Sequence, residues 1–445
     1  MYIVETNSQL DNFLDVYNKY DSIILPIWVD SELHPLNNKL SLLFVRIIPK
    51  KEDYIICLDH SECEGLDFDL NKLNNDKKHY TFNKKEFNHI IPFKNVIDVN
   101  MLVYLKTNVG LELKDNDTSA HHYLKRIYWN RRGVNSLIPI VKHYEKYKEI
   151  ADAIEEVINY DITELYDIYH RQVIDNLSYI ESSGLKVNKE LVALDMHKHL
   201  TKDDIIYTEY NPYTITGRPS NRFGGINFAA LNKDDGSREP FISRFDKGML
   251  IEFDYDAYHL RLIADIIGYK FPNSSVHEYM AKFYGRDVTY DESKTKSFQY
   301  LYGGIPWDVV QLNPFFDGVH DYIESKWSEY KSNFSVLSDI YSKRIDSVNL
   351  HDMNANKLFN YLIQLTETEA NMGVISDIRE ILEGKESKLV LYSYDSFLFD
   401  FNPNDGKGVM KELKIAIERD NIFPTKVKVG ENYNNMVGIM GEFSD

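Results

Sequence analysis

Short apolar runs recur along the first 145 positions of the chain. Three runs have the length and apolar character of β-strands: Ser22 to Val29, Leu40 to Ile48 and Tyr54 to Leu58. A helix-like segment follows them at Leu137 to Tyr147. A mixture of strand runs and helical spacing is typical of an α/β domain. The pattern therefore predicts a first domain of this class over residues 1–145.

A charged segment with helical periodicity follows between Glu145 and Glu181. Gly184 ends it, because glycine tolerates the left-handed backbone at a helix C-terminus. We interpret residues 146–215 as a helical connector. Beyond it, the pattern predicts a strand at Met249 to Asp254, a long helical section and a β-hairpin at Lys388 to Phe401.

Size and composition limit the class of protein. With 445 residues, 43% of them hydrophobic, the chain is long enough for two or three domains. No apolar run reaches the length of about 18 residues that a membrane span needs, and the first residues lack the order of a signal peptide. We expect a cytoplasmic protein, in the host cell if viral, without a membrane partner. Cys57 and Cys63 are expected to be free thiols.

The net charge of the chain limits how it could bind nucleic acid. Lys and Arg number 51 and Asp and Glu 69, which gives a net charge of −18. Such a chain does not coat nucleic acid through bulk positive potential. Any contact with nucleic acid must therefore depend on a local cluster of side chains.

Two aspartates are placed as metal ligands often are. Asp254 follows the run Leu250 to Phe253, and Asp395 lies in a tight turn between the arms of the predicted hairpin. Two such carboxylates could hold a pair of Mg²⁺ ions, which are hard cations that prefer oxygen ligands. The alternative interpretation is structural: Asp256 caps a helix, and Asp395 forms an Asx-turn.

The segment TYDESKTKSFQYLYGG predicts a helix, because it opens with a Thr-x-x-Glu capping box and ends with two glycines. Lys294, Phe298 and Tyr302 follow one another at intervals of four along one face of it. A cation and two aromatic rings in this order could meet the phosphates, sugar and base of a nucleotide. An ordinary amphipathic helix gives the same spacing.

Together these elements resemble the family A DNA polymerases, the group that contains bacterial DNA polymerase I and many phage replicases. Residues 254–261 (DYDAYHLR) resemble motif A, the Lys294 helix is similar to motif B, and residues 394–396 (YDS) occupy motif C. His277 resembles a short motif before the fingers. The matches keep their order between residues 177 and 401.

The resemblance implies a two-metal polymerase site. Asp254, Asp395 and the Tyr255 carbonyl would bind two Mg²⁺ ions, with Mn²⁺ as a possible substitute. Lys294 would grip the triphosphate of the incoming dNTP. Phe298 would select the sugar, and Tyr302 would stack near the templating base.

The resemblance also implies a grip on primer-template DNA. Arg218, in the segment Thr-Gly-Arg, and Asn227 resemble residues that touch the primer strand. Asn360 and Gln364, four apart on a helix that starts near Asn354, resemble the helix that reads the minor groove. Such contacts depend on the shape of the DNA duplex and not on its base sequence.

Three features depart from the family pattern. The glutamate that blocks a ribose 2′-hydroxyl is His259 here, and motif C reads Tyr-Asp-Ser instead of His-Asp-Glu. The arginine expected one helical turn before Lys294 is Tyr290. One triphosphate contact is therefore missing or is supplied elsewhere, with Arg286 and Lys296 as candidates.

The N-terminal domain resembles the 3′-5′ proofreading exonuclease of the same family. Asp30 and Glu32 look like its Asp-x-Glu motif, although a simple strand-end turn is the alternative interpretation. The second motif offers only Glu86, and Arg131 and Arg132 stand near the position of the last aspartate. Because a basic residue opposes metal binding, we expect an inactive, vestigial nuclease.

The predicted architecture is an α+β or α/β multidomain chain. It comprises an RNase H-like exonuclease domain (1–145), a connector with a residual thumb (146–215), and a palm (216–445) with fingers at about 268–350. Between Asn188 and Thr216 there is room for about one helix, so the thumb is nearly deleted and a processivity or replisome partner is expected.

The expected activity is DNA polymerase, in phage or plasmid replication. The alternatives are a residual nuclease and a non-catalytic primer-template scaffold.

Overall fold

The computed structural model describes residues 1–30, 32–91, 93–113, 118–119, 135–221, 226–272, 275–347 and 350–439. The chain folds into two compact units, each built from two segments. The first unit comprises Met1–Tyr213 and Ser220–Ile242, and the second comprises Thr214–Pro219 and Ser243–Asp445. Both units contain helices and sheets, which confirms the expected mixed α/β class.

A six-stranded sheet forms the core of the first unit. Its strands are Tyr2–Val4 (β1), Ser22–Trp28 (β2), Leu40–Ile47 (β3), Glu52–Cys57 (β4), His79–Thr81 (β5) and Val96–Asp98 (β6). Their order is β1-β4-β3-β2-β5-β6, with β3 antiparallel to β2 and β4 and the other neighbours parallel. β2 and β3 are buried along their whole length, which explains why both sequences are mainly apolar and do not alternate with polar residues.

Helices accompany this sheet and continue beyond it. They are Asn7–Tyr17 (α1), Lys84–Asn88 (α2), Val99–Thr107 (α3), Ile140–Val157 (α4), Glu164–Tyr169 (α5) and Asp175–Ser183 (α6), with a π-helical turn at His170–Ile174. Gly184, at a φ of 61°, ends the last of them. The helices predicted between Glu145 and Glu181 are therefore confirmed.

Short strands complete the first unit. They are Glu112–Leu113 (β7), Thr118–Ser119 (β8), Leu185–Val187 (β9), Ile205–Ile206 (β10), Tyr210–Asn211 (β11), Ser220–Asn221 (β12) and Phe241–Ile242 (β13). They form a sheet in the order β10-β9-β13 and two separate pairs, β7 with β8 and β11 with β12. The stretch from Asn188 to Thr216, all of it described, contains two 3-10 helices, Lys189–Leu191 and Leu194–His199, instead of the expected single helix.

The second unit is built on a five-stranded antiparallel sheet. Its strands are Met249–Tyr255 (β14), Lys388–Ser393 (β17), Ser396–Phe401 (β18), Thr425–Gly430 (β19) and Val437–Ile439 (β20), and a separate pair is formed by Ser335–Leu337 (β15) and Arg344–Asp346 (β16). The order β17-β18-β14-β19-β20 places β14 in the middle. The predicted strand and hairpin are thus confirmed and lie side by side.

The helices of the second unit include its longest elements. They are Tyr258–Ile266 (α7), Val276–Tyr284 (α8), Tyr290–Gly303 (α9), Trp307–Leu312 (α10), Pro314–Asn333 (α11), Ala355–Ile381 (α12) and Lys407–Glu418 (α13). The capping box of α9 and its glycine stop at Gly304 are as predicted, and α12 begins after Asn354. Within the described ranges, no helix is long and apolar enough to cross a membrane.

Two local predictions were wrong. Asp256 is not the N-cap of α7: that position belongs to Ala257, whose left-handed φ of 54° turns the chain out of β14. Cys57 and Cys63 are not free thiols but form a disulfide, with 6.4 Å between their Cα atoms. The chain doubles back directly after β4, where the Leu66 N–H donates to the Cys57 carbonyl (3.0 Å), and this brings the two sulfurs together.

A buried ion pair ties α2 to α6 in the first unit. The ammonium of Lys85 contacts the carboxylate of Glu181, and both side chains are at most 3% exposed. Glu181 also accepts hydrogen bonds from the Tyr210 N–H (2.7 Å) and the ring of His89 (2.8 Å). Burial raises the pKa of Glu181, but Lys85 and His89 outweigh it and hold that pKa at about 2.

We predict that Lys85→Met destabilises the protein by about 3 kcal/mol or more, because it leaves the Glu181 carboxylate buried without its main counter-charge. Urea unfolding followed by circular dichroism measures the loss. The matched control is Lys142→Met, whose partner Glu145 lies at 3.0 Å in an exposed pair and whose loss should cost less than about 1 kcal/mol. Equal effects of the two variants would contradict the assignment.

Candidate active site

β14 delivers Asp254 to the accessible side of the central sheet. It pairs with β18 and with β19, so Asp254 lies opposite Ser396 on one side and opposite Lys426 on the other. The preceding Phe253 points the other way and is fully buried, whereas the Asp254 side chain is 35% exposed. Strand alternation thus places one carboxylate where a ligand could reach it.

Asp395 reaches the same place from the adjacent hairpin. β17 and β18 are joined by the two-residue turn Tyr394-Asp395, in which Tyr394 has a left-handed φ of 59°. The Asn371 side chain donates to the Tyr394 carbonyl (2.6 Å), and the Tyr255 N–H donates to the Asp395 carbonyl (2.9 Å). These bonds hold the turn beside the end of β14, so the structure brings the two predicted aspartates together.

The electrostatics of this pair favour a cation. Burial, assisted by the negative charges of Glu367 and Asp254, raises the pKa of Asp395 to about 6. A carboxylate among other carboxylates is stabilised in its charged form by a nearby cation. Carboxylate and carbonyl oxygens are the ligands that Mg²⁺ and Mn²⁺ prefer.

The Tyr255 carbonyl is aimed at the same place. The N–H of Asp256 donates to the Pro424 carbonyl at 2.9 Å, on the β19 side of the strand. In a trans peptide the C=O points opposite to the N–H of the next residue, so the Tyr255 carbonyl is directed toward the Asp395 turn. The third predicted metal ligand therefore has a suitable direction.

A row of lysines, missed by the sequence reasoning, faces the β14 carboxylates. Glu252 lies opposite Lys428 in the β14–β19 register, as Asp254 lies opposite Lys426. Residues directly opposed on antiparallel strands point to the same face. The Lys428 Nζ lies 2.8 Å from Glu252 and 3.2 Å from Asp254. The sequence feature that could have revealed this row is the alternation of charged and apolar residues in the strands IEFDY and TKVKV.

α9 presents the three predicted residues of its stripe. The rings of Phe298 and Tyr302 are parallel, with centroids 5.9 Å apart. Phe298 also contacts the buried ring of His277, at 5.8 Å, while Lys294 is exposed. The helix therefore carries an accessible cation followed by two partly buried rings.

A buried carboxylate, Glu367 on α12, joins several predicted residues. It binds the guanidinium of Arg218, and its Oε1 lies 3.1 Å from the His259 Nε2. The other ring nitrogen of His259 is hydrogen-bonded to the Tyr302 hydroxyl. Burial raises the pKa of Glu367, but His259 and Arg218 together hold it below its usual value. Nothing in the sequence TETEA distinguishes this residue from its neighbours, and the sequence reasoning missed it.

The turn before Arg218 fixes that arginine against α12. Gly217 has a φ of 74°, and a Cβ at this position would lie 2.4 Å from the Leu365 Cδ1, so only glycine fits without displacement. The Arg218 guanidinium also lies 4.4 Å from the ring centre of Tyr394. Arg218 is therefore close to the turn that carries Asp395.

The remaining DNA-binding candidates lie in two places. Asn360, on α12, donates to the Tyr302 carbonyl at 3.3 Å, and Gln364 follows one turn later, partly buried. Asn227 belongs to the first unit, where it is exposed before the 3-10 helix Phe228–Ala230.

The candidate nuclease carboxylates are engaged with protein partners. Asp30 accepts the N–H of Glu32 at 2.9 Å, and Glu32 forms an ion pair with a lysine of the same unit. Glu86 accepts a tryptophan indole N–H at 2.9 Å. Arg131 and Arg132 lie outside the described residues.

A second group of possible metal ligands lies in the first unit, where His34, His89 and Glu181 converge within 4.8 Å. The Nδ1 of His34 accepts the Leu36 N–H at 3.2 Å, so in the neutral ring Nε2 carries the hydrogen. A protonated nitrogen has no lone pair for a metal. We therefore assign this group to the buried network around Glu181.

No protein-family model and no curated protein sequence matches this chain. Its fold is nevertheless that of a DNA polymerase domain. The solved structure of the POL domain of Pol1 from M. smegmatis, in complex with DNA primer-template and dNTP, matches with a TM-score of 0.68 at 13% identity, over 98% of this chain and 100% of that one. At this identity the likeness concerns the fold alone.

Proposed function

We propose that the chain is a template-directed DNA polymerase that adds dNTPs to a primer 3′ end by two-metal phosphoryl transfer, in the replication of phage or plasmid DNA. The observation that carries the proposal is the placement of Asp254 and Asp395 at adjacent strand ends. The fold shared with a polymerase domain supports it. In this proposal the central sheet is the palm, and residues 268–350 are the fingers.

Asp254, Asp395 and the Tyr255 carbonyl would hold two Mg²⁺ ions, or Mn²⁺ in their place. When bound, the ions lower the pKa of the attacking primer hydroxyl and neutralise charge on the leaving pyrophosphate. Lys428, 3.2 Å from Asp254, balances that carboxylate before a metal binds. An added positive charge would stabilise the charged form of Asp395, whose pKa is raised chiefly by burial.

The side chains on α9 would bind the incoming nucleotide. Lys294 would hold the triphosphate, Phe298 would contact the sugar, and Tyr302 would lie against the templating base. His259 would close the space that a ribose 2′-hydroxyl needs. Its imidazole is held from both sides, by the Tyr302 hydroxyl and by Glu367, so it can exclude a substituent without moving.

A small set of polar side chains would hold the primer-template duplex: Arg218, Asn227, Asn360 and Gln364. Such contacts to the minor groove and backbone are local and tolerate any sequence. They are compatible with a chain whose net charge is −18, because they do not require bulk positive potential.

We infer that residues 1–145 are a vestigial exonuclease-like domain without nuclease activity, followed by residues 146–215 as connector and residual thumb. The engaged state of Asp30, Glu32 and Glu86 supports this over a residual nuclease. A non-catalytic scaffold is the less economical alternative, because it gives no reason for Asp254 and Asp395 to lie at adjacent strand ends.

We predict that Asp254→Asn and Asp395→Asn each reduce primer extension by roughly three orders of magnitude or more, because each removes a ligand charge from a two-metal site. A gel assay with Mg²⁺, dNTPs and a labelled primer-template measures it. Binding of primer-template should survive. Asp308→Asn, at an exposed position of α10, is the matched control and should extend normally. Near wild-type extension by either aspartate variant would refute the metal assignment.

We predict no measurable shortening of a labelled single-stranded oligonucleotide by the full chain in Mg²⁺, because the candidate nuclease carboxylates already have protein partners. The assay omits dNTPs, so polymerisation does not mask degradation. Steady 3′ shortening that disappears in Asp30→Ala would show that the nuclease is active.

We predict that the isolated protein is distributive and needs a processivity partner, because the stretch between Asn188 and Thr216 contains no long helix that could close over the duplex. Each phosphate contact that is absent lowers affinity and flattens the salt dependence by a slope of about 1. Product length under a heparin trap measures this. Extension by hundreds of nucleotides in one encounter would contradict it.

A further inference from the structure

Lys426 stands on the same face of the sheet as Asp254, directly across the β14–β19 register. Its neighbour in the row, Lys428, is drawn to Glu252 and Asp254 and is only 25% exposed. Lys426 leans the other way, and its side chain remains 58% exposed. Of these two cations, Lys426 is therefore the one available to a ligand.

The ammonium of Lys426 lies at the start of α9. Its Nζ is 2.8 Å from the Asp256 carboxylate and 3.3 Å from the hydroxyl of Tyr290, the first residue of that helix. Tyr290 precedes Lys294 by one helical turn. Lys426 and Lys294 therefore extend cationic charge along one side of α9, and Lys426 lies opposite Asp254 in the sheet.

The electrostatics at His277 show that these charges converge. Burial, together with the smaller effects of Lys294, Lys426 and Arg261 and against the opposing charge of Asp256, lowers the pKa of His277 to about 4. Three cations therefore act on one buried ring. A group of this kind suits a ligand with several negative charges.

We propose that Lys426 binds the triphosphate of the incoming dNTP together with Lys294, as a second cation supplied by the sheet. The proposal rests on the proposed polymerase function and names a residue of that same site. Lys426 can turn to a phosphate oxygen without leaving Asp256 unpaired. The Arg261 Nη2 lies 3.5 Å from that carboxylate, and its Nε donates to the Asp256 carbonyl at 3.0 Å.

The test is steady-state insertion of a single dNTP by Lys426→Gln in the full chain. We expect the KM for dNTP to rise about 10-fold or more, since a hydrogen bond between charged groups is lost, with a much smaller change in kcat. Inhibition by inorganic pyrophosphate should weaken in parallel, while affinity for primer-template stays unchanged. An unchanged KM overturns the proposal.

Two further variants separate binding from structure. Lys426→Arg should keep the wild-type KM, and adding Tyr290→Arg to Lys426→Gln should restore it, because that side chain returns a cation to the same place. If Lys426→Arg raises the KM and the double variant does not lower it again, the role of Lys426 is structural and the proposal is overturned. The matched control is Lys407→Gln, which removes an equal charge from an exposed position on α13. An equal rise of KM in this control overturns it as well.

A readout without turnover keeps this proposal distinct from the function it rests on. Binding of dNTP in Ca²⁺ is measured by calorimetry for wild type and Lys426→Gln. Affinity that falls about 10-fold supports the proposal even if extension is slow. A wild-type chain that neither binds dNTP nor extends primers overturns the polymerase function, and this proposal with it.

Discussion

The register of β14 between β18 and β19 is the constraint on which the rest of the candidate site depends. It pairs Asp254 with Ser396 on one side and with Lys426 on the other. Because side chains alternate along a strand, a shift of one residue would bury Asp254 and expose Phe253. The buried rings of Phe253 and Phe399, in edge contact at 5.6 Å, oppose such a shift. Core packing thereby sets the position of the charged face.

That charged face is crowded, and its charges are balanced through shared partners. Lys428 contacts both Glu252 and Asp254, whereas burial and the nearby carboxylates Glu367 and Asp254 raise the pKa of Asp395 to about 6. A site that was neutral before binding would gain little from a divalent cation. This site keeps negative charge, because Glu252 and Asp254 share Lys428 and Asp395 lies near Asp254 and Glu367, and the proposed metals would offset that charge.

Sequence reasoning succeeded where the signal was local. The capping box of α9, the start of α12 and the hairpin around Asp395 depend on residues a few positions apart, and the structure has them as predicted. Lys426 and Glu367 were missed because their roles depend on contacts with residues more than a hundred positions away. The cap at Asp256 failed for a local reason, since the left-handed Ala257 delays the helix by one residue.

Two carboxylates near the site each have two side-chain partners, and this affects how a ligand could bind there. Glu367 contacts both the Arg218 guanidinium and the His259 ring, and Asp256 likewise contacts both Lys426 and Arg261. Loss of the only partner of a buried carboxylate lowers the stability of the protein by about 3 kcal/mol or more. With two partners, one can turn to DNA or to a phosphate while the other stays, so the exchange avoids most of that cost. Strong pairing in the free protein is therefore compatible with use of the same cations in binding.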